Sequence, residues 1–418
     1  MRHLALREIE TAEPARGFDG EVAGSGRRPE RQAPQERAGD GKAPVVAATV
    51  SALPAILGLA REWEALEARC PNTMLFQSYA WCRNFVEFSA GNADFAPRVV
   101  TFRQGGRLVG LLPLSIQRKG GLAVLTGFAE PFQQYTDLLV DPAIDPIRLQ
   151  RPMLDALKMT GADFVHFGQV RGDSALAKIA GGVIPETGEK DAAPYVAVGA
   201  FADFETYHQT IKAKTRKNLR NLRNRLERDE GVRHQAARDG ALLKAVVERT
   251  FEGREAWLER LGITSRAFQD NQFRAFLGRF VTGEAQVSGI RPIAMSLTHG
   301  DRVLSDQWGF VFAGRYYAFM ANWNLDYEAF SPGRLHLGEV IRTCFDEGFE
   351  VADFLIPASS YKLTWTDHAM PVTDRVMPLT FRGWIHARLW LDILRPRAKQ
   401  VFYKLPQGMR QAIIKRLG

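Results

Sequence analysis

Residues 285–355 constrain the fold of this 418-residue chain more than any other segment. In this segment the pattern of apolar residues predicts several consecutive strands, then one helix, then a further strand. Alternating apolar residues, separated by glycine-containing turns, predict four strands: 285–289, 292–299, 302–312 and 315–322. A helix that begins after Pro332 and ends at Gly348 then leads to a last strand at 350–355. An antiparallel meander followed by a crossover helix is typical of an α+β fold.

The first half of the chain repeats this order less clearly. A strand at 45–50, a helix at 53–69 and a hairpin that turns at Gly105–Gly106 precede further short strands and helices. We therefore predict two α+β domains, 45–200 and 201–381, each a mixed, mostly antiparallel sheet flanked by helices.

A basic helix is predicted over residues 208–230, where Leu219, Leu222 and Leu226 form an apolar stripe among eight bases and Gly231 ends the helix. The bases suit binding of phosphates, an anionic glycan or RNA. A solvated helix face with acids nearby has the same pattern. No aromatic residues are interleaved with the bases, which argues against nucleic acid.

The terminal segments differ from this body in composition. Residues 1–44 contain ten Gly and Pro residues and a single aromatic residue, Phe18, so they are predicted to be disordered. Residues 382–418 hold nine bases and one acid, which accounts for the whole net charge of +8. Their bases are mixed with Trp384, Trp390 and bulky aliphatic residues. This amphipathic mixture is typical of a segment on an anionic membrane surface, or of a terminal helix packed on the core.

Composition and missing motifs argue against several classes of protein. The neutral body argues against a broad nucleic-acid-binding face, and no run approaches the ~20 apolar residues of a membrane-spanning helix. The three cysteines form neither a disulfide framework nor a metal knuckle, and the histidines are isolated, so no metal site is predicted. No apolar signal segment opens the chain, which favours a cytoplasmic location. Motifs of serine hydrolases, P-loop enzymes and zinc proteases are absent.

Four segments together resemble one known family. They are TRKNLRNLRNRLERDEGV (215–232), YYAFMANWN (316–324), SPGRLHLGEVIRTCFDEGFEVADFL (331–355) and YKLTWTD (361–367). In this order and spacing they are similar to the CelD-type acetyltransferases of the GNAT superfamily, which are related to Fem-type transferases and often accompany bacterial cellulose or exopolysaccharide biosynthesis. The resemblance covers about residues 45–375. The glycines of SPGRLHLG do not have the spacing of the Q/R-x-x-G-x-G/A loop with which GNAT enzymes bind coenzyme A.

The resemblance implies tandem GNAT-like domains, the second of them catalytic. It implies an acyltransferase that uses acetyl-CoA or another acyl-CoA, without a metal, on a sugar, a polysaccharide precursor or an amine. The location would be cytoplasmic, with the tail at 382–418 docked on the inner membrane. Two alternatives stay open: a Fem-like transferase that uses aminoacyl-tRNA, and a non-catalytic accessory protein of a membrane polysaccharide synthase.

The turn that opens the helix at Pro332 is the predicted cofactor site. Helix N-terminal N–H groups favour phosphate, Gly333 permits close approach, and Arg334 adds a charged fork. We include Ser331 and Leu335 in this site. An ordinary Pro-started helix with an exposed arginine is the structural alternative.

The predicted catalytic residues follow the last strand. Asp353 interrupts an apolar run, and partial burial would raise its pKa into the range of a general base. Tyr361 is the candidate proton donor to the leaving thiolate, and Lys362 the candidate ligand of a phosphate or carboxylate. Each residue also has a structural alternative. Asp353 would pair with a nearby base, Lys362 would be a surface lysine, and Tyr361 would be an aromatic residue at the edge of the core.

Three further residues are predicted to contact substrate. Gln307 and Asn322 are polar residues inside apolar strands, which must be hydrogen-bonded or line a cavity. Trp365 has a ring that suits stacking on a sugar or an adenine. Cross-strand amide pairing and a core aromatic residue are the alternatives.

Overall fold

The computed structural model describes residues 43–228, 231–261, 268, 271–285 and 289–387. The predictions for residues 1–42 and 388–418 lie outside this range. So does most of the strand predicted at 285–289.

Within the described ranges, thirteen strands form one sheet. The strands are β1 (Val45–Val50), β2 (Ala96–Gln104), β3 (Arg107–Lys119), β4 (Leu122–Gly127), β5 (Leu139–Val140), β6 (Phe164–Arg171), β7 (Glu186–Val196), β8 (Val232–Ala237), β9 (Arg291–His299), β10 (Arg302–Phe312), β11 (Arg315–Trp323), β12 (Val351–Asp353) and β13 (Ala369–Pro378). Their order is β1-β2-β3-β4-β6-β13-β7-β12-β11-β10-β9-β8, and β5 pairs with β3.

Helices cover both faces of this sheet. They are α1 (Leu53–Gly58), α2 (Ala60–Arg69), α3 (Tyr79–Phe88), α4 (Gln150–Lys158), α5 (Ala175–Ala180), α6 (Phe204–Thr210), α7 (Ala213–Leu226), α8 (Gly240–Leu261), α9 (Gln272–Thr282), α10 (Pro332–Asp346) and α11 (Phe381–Ile385). The prediction of a single helix over 208–230 is wrong in its first part, because α6 ends at Thr210 and α7 begins at Ala213, with the non-helical residues Ile211 and Lys212 between them.

The sheet contains the same unit twice. The strands β4 and β6 are parallel and are joined through α4, and the strands β11 and β12 are parallel and are joined through α10. Every other pairing is antiparallel in the described part of the sheet. This confirms the predicted α+β class, with mostly antiparallel sheets flanked by helices.

The last strand ties the two units together. The strand β13 lies between β6 and β7, although it follows the whole second unit in the sequence. The strand β7 in turn pairs with β12 of the second unit. The hydrogen-bonded sheet therefore continues from the first predicted domain into the second. The boundary at residue 200 stays a prediction.

A buried aromatic cluster also joins the two halves. The indole of Trp81 on α3 is 0 % exposed. Its ring centroid lies 5.1 Å from that of Phe276 and 5.3 Å from that of Phe280, both on α9, and 5.8 Å from that of Phe310 on β10. Such rings bury large apolar areas and add specific edge-to-face contacts.

We predict that Trp81→Ala lowers the free energy of unfolding by about 3–5 kcal/mol, because it leaves a cavity where the halves meet. Urea denaturation followed by circular dichroism measures this change. Met159→Ala is the control, since Met159 is 83 % exposed and its loss should cost under about 0.5 kcal/mol. Equal stability of the two variants would contradict the role of the cluster.

Candidate active site

The parallel strands β11 and β12 separate soon after they meet. Their paired residues run only from Arg315–Val351 to Tyr317–Asp353. The strand β11 continues to Trp323, whereas β12 ends at Asp353. A cavity of about 70 Å³ opens between the two diverging segments, several times the ~15 Å³ that one water needs.

We call this space the fork cavity. Residues from both halves of the chain line it: Gln134, Arg254, Phe268, Phe273, Gln307, Ala318, Phe319, Met320, Ala321, Leu337, Phe354, Ile356, Pro357, Tyr361 and Lys362. Three of the residues predicted from the sequence therefore line the same cavity: Gln307, Tyr361 and Lys362.

A tight turn after β12 creates the fork. Leu355 has a φ of 56°, in the left-handed region, and its N–H donates to the Asp353 Oδ1 at 2.9 Å. The Lys362 ammonium donates to the carbonyl of Pro357 at 3.1 Å and to that of Leu355 at 3.5 Å. The turn thus holds a charged lysine, only 5 % exposed, against the cavity.

Two glutamine amides are among the polar groups that line the fork cavity. The Gln307 Nε2 donates to the Tyr316 hydroxyl at 3.3 Å. The buried Gln134 Oε1 has no hydrogen-bond partner among the described residues. Buried polar atoms are normally satisfied, so an unpartnered carbonyl beside a cavity indicates a place for a ligand or water.

A larger cavity, of about 660 Å³, lies on the other side of the 361–365 segment. We call it the cationic groove. Its wall comprises Val196, Ala197, Phe201, Tyr207, Thr210, Ile211, Lys212, Lys214, Thr215, Lys217, Asn218, Leu219, Asn221, Arg334, Leu363, Thr364, Trp365, Thr366, Asp367 and His368. The volume is within the roughly 300–1,000 Å³ of small-molecule sites. Four bases against one acid favour an anionic ligand.

The first turn of α10 contributes one residue to this groove. Arg334 lines it, whereas Ser331, Gly333 and Leu335 are not in its wall. Ser331 is the left-handed residue before the helix, with a φ of 50°. Gly333 lies beside the exposed ring of Trp323, and Leu335 packs against the apolar core. The cofactor role of the whole turn stays a prediction.

Trp365 is held between α10 and the groove and is only 4 % exposed. Its Nε1 donates to the Arg334 carbonyl at 2.9 Å. A Cβ added to Gly338 would lie 2.4 Å from the indole ring. The second glycine of SPGRLHLG therefore makes room for this ring, and the predicted stacking of Trp365 on a substrate remains untested.

Asn322 faces α8, which packs on the opposite side of the sheet from α10. Its Nδ2 donates to the Arg249 carbonyl at 3.4 Å, and its side chain fills the place of a side chain at Gly253. Asn322 is in the wall of neither the fork cavity nor the groove. The geometry favours packing against α8 over the predicted substrate contact.

Asp353 is fully buried at the base of the fork. Its Oδ2 accepts from Arg171 at 3.0 Å and from Arg315 at 3.2 Å, while its Oδ1 accepts from the Tyr135 hydroxyl at 2.9 Å. Burial, with the added charge of Asp353, raises the pKa of Tyr135 well above its usual value, so the phenol remains a donor. These contacts favour a structural role, and the predicted role as a general base has no support from them.

Sequence reasoning missed the residues that the first half contributes. Gln134 lies in the segment FAEPFQQYTDL, where two amides interrupt an apolar run. That pattern is the signal that would have identified it. Nothing local indicates which strand of the second half it faces.

Among the described residues, no helix is long and apolar enough to cross a membrane, and no group of three metal-ligating side chains occurs.

The first residues of the basic tail belong to α11, the last described helix. On this helix Phe381 and Trp384 stack on each other and are 74 % and 49 % exposed. The membrane role of 382–418 stays a prediction.

Comparison with known proteins concerns the fold of the second half. Residues 213–363 match a family model described as an acetyltransferase (GNAT) domain. The matched stretch, which contains α7, the meander, α10 and β12, is similar to this domain and indicates an acyltransferase.

Similarity to solved structures extends over both halves. The crystal structure of FemX is 11% identical, covers 79% of this chain and 98% of its own, and has a TM-score of 0.53, which shows a shared fold. A tandem GNAT protein from the clavulanic acid biosynthesis pathway is 13% identical, covers 80% of this chain and 98% of its own, and has a TM-score of 0.45. No curated protein sequence matches the chain.

We predict that Asp353→Asn lowers the free energy of unfolding by about 3 kcal/mol, because the buried Arg171 then keeps only Asp173 as a counter-charge and the half-buried Arg315 loses its carboxylate partner. Urea denaturation measures this loss. Asp326→Asn, on an exposed 3₁₀ turn, is the control and should leave stability unchanged. A stable Asp353→Asn protein that has lost only turnover would instead support the general base.

Proposed function

We propose that the protein is an acyl-CoA-dependent acyltransferase, with the cationic groove holding the phosphates of the donor and the fork cavity holding the reacting carbonyl. The observation that carries this proposal is the fork cavity itself. It is a small space into which Gln134, Gln307 and Lys362 bring polar groups from two halves of the chain. Donor groups that are already fixed around a small space can stabilise a negative charge that develops there during a reaction.

The groove supports the donor assignment through its charge. Lys212, Lys214 and Lys217 lie at the start of α7, where helix N–H groups also favour anions, and Arg334 faces them from α10. A coenzyme A molecule carries several phosphate charges on one arm and an uncharged thioester on the other. The bases that line the groove suit the phosphate-bearing arm of this molecule.

The transfer step uses the residues of the fork directly. The amine or hydroxyl of the acceptor attacks the thioester carbonyl, and its proton leaves to water that enters the fork. The carbonyl oxygen gains negative charge, which the Lys362 ammonium stabilises. The carbonyl re-forms as the C–S bond breaks, Tyr361 gives its proton to the departing thiolate, and the phenolate regains a proton from the water that took the acceptor's proton. In this proposal Asp353 is a positioning residue, because it fixes the Leu355 turn that holds Lys362.

Acetyl-CoA is the donor that we propose, and a sugar, a polysaccharide precursor or an amine is the acceptor. Participation in exopolysaccharide or cellulose biosynthesis rests on the CelD-type resemblance. A Fem-like use of aminoacyl-tRNA is the second candidate, favoured by the run of bases along α7. Both donors are polyanions, so binding experiments must separate them.

We predict that acetyl-CoA binds the full-length protein and that Lys214→Ala combined with Lys217→Ala raises its Kd roughly tenfold at low salt, since two phosphate contacts are lost. Isothermal titration calorimetry measures this change. The matched control is Arg220→Ala combined with Arg228→Ala, which removes the same charge from exposed positions of the 208–230 segment outside the groove.

Two outcomes would contradict the donor assignment. Equal weakening by both double variants would mean that only net charge matters. Steeply salt-dependent binding of tRNA, without binding of acetyl-CoA, would support the aminoacyl-tRNA alternative.

We predict that Lys362→Met lowers kcat about 10²–10³-fold, as for loss of an oxyanion donor, while the Kd of acetyl-CoA is unchanged. Release of the CoA thiol is followed with D-glucosamine and with ethanolamine as acceptors. Lys158→Met is the control, because its ammonium is exposed and pairs only with Asp155 among the described residues. Thiol release that survives in Lys362→Met would remove this lysine from the reaction. Absence of release in the unmodified protein, despite acetyl-CoA binding, would favour the non-catalytic accessory role.

A further inference from the structure

A third cavity lies in the first half of the chain, away from the fork. It has a volume of about 210 Å³, below the roughly 300–1,000 Å³ of drug-sized sites. We call it the aspartate cavity. Its wall consists of Cys70, Pro71, Asn72, Thr73, Met74, Gln77, Asp137, Leu138, Leu139, Val140, Asp141, Pro142, Ile144, Pro146, Asp173, Ser174, Ala175 and Lys178. Three carboxylates and one lysine are the charged groups of this wall.

Gln77 supplies an unpartnered acceptor to this cavity. The residue is 1 % exposed, and its Nε2 donates to the Tyr135 carbonyl at 2.6 Å. Because a carbonyl only accepts, the nitrogen must face Tyr135, which leaves the oxygen for another donor. The Oε1 finds no such donor in the part of the chain that the structure describes. A buried carbonyl of this kind indicates a ligand that donates hydrogen bonds.

Two of the three carboxylates already have cationic partners. Asp141 Oδ2 pairs with Arg69 at 2.7 Å and with Arg107 at 2.6 Å. Asp173 receives both the Nε and a terminal nitrogen of Arg171, each at 3.0 Å. These two residues therefore contribute little net charge to the cavity.

Asp137 differs from both, because within the described ranges no base lies at ion-pair distance from it. The two backbone groups that donate to it, the N–H of Leu138 at 2.7 Å and that of Leu176 at 3.0 Å, both bond to Oδ1. The Oδ2 is left for a ligand. Burial raises the pKa of Asp137 to about 7, which is the behaviour of a carboxylate that lacks a counter-charge.

We propose that the aspartate cavity is a binding site for a small primary ammonium ligand, held by Asp137 Oδ2 and Gln77 Oε1. An ammonium group has three donors and no acceptor, so it satisfies both oxygens and supplies the missing charge. The apolar wall, which includes Met74, Leu139 and Ile144, suits the carbon chain of such a ligand. Through Tyr135 the site is also one hydrogen bond removed from the Asp353 network.

The test uses n-propylammonium chloride as the probe, on the full-length protein at pH 8, where Asp137 is ionised. Propan-1-ol and propionate are the neutral and anionic isosteres. Saturation-transfer NMR titration should give saturable binding of propylammonium, roughly tenfold weaker binding of the alcohol, and none of the carboxylate. The measurement needs no acetyl-CoA, so its failure leaves the proposed transfer activity unaffected.

Asp137→Asn is the decisive variant, because it keeps the Oδ1 that Leu138 and Leu176 require and replaces only Oδ2. It should weaken propylammonium binding at least about tenfold. Asp145→Asn is the control, since Asp145 accepts from the Ile147 N–H outside the cavity wall and should leave binding unchanged. Ala175→Phe, which fills the cavity, gives a second route to loss of binding if Asp137→Asn fails to fold.

Three results would overturn the proposal. They are absence of saturable propylammonium binding, equal affinity for the alcohol, and unchanged affinity in both cavity variants.

Discussion

The buried carboxylate of Asp353 is the interaction on which the arrangement of the molecule depends. It lies at the end of β12 and is bound by Tyr135 and Arg171 of the first half and by Arg315 of the second. A buried charge is tolerated only when it is paired and hydrogen-bonded, so these donors must all be in place together. The same carboxylate accepts the N–H of Leu355 and thereby fixes where the chain leaves β11. Association of the halves and opening of the fork are therefore coupled.

A side chain occupies the corresponding position in the first half. At the end of β4, the corresponding strand of the first half, the side chain of Gln133 lies directly against Gly127, where any Cβ would collide with it. Gln133 also accepts the Ala129 N–H and is buried. Its neighbour Gln134 extends into the fork cavity of the second half. Of two neighbouring amides, one thus packs against its own unit and the other lines the fork cavity of the second unit.

The sequence predicted those parts of the fold that depend on local pattern. The strands β9 to β11 and the helix α10 follow alternation, glycine turns and a proline start, and each is present. The strand β13 was not predicted, because Pro371, Pro378 and its charged residues oppose a central strand by local rules. Gln307, Tyr361 and Lys362, which line the fork cavity, were selected because they interrupt or follow apolar strands. The partner of Asp353 could not be predicted in this way, since Arg171 is 182 residues away in the chain.

The unusual glycine spacing of SPGRLHLG has a physical reason that bears on the donor. Gly338 is required by the ring of Trp365, so this glycine serves packing and is not available to shape a phosphate loop. If the donor is a coenzyme A, its charge must then be met from elsewhere, and the lysines at the start of α7 are the nearest concentrated source along the groove. Arg334 belongs to this groove through its side chain and binds Trp365 through its carbonyl. The first turn of α10 therefore links the cationic groove to the 361–365 segment that carries Tyr361 and Lys362. In the proposed function, a donor bound in the groove would reach the fork across that turn.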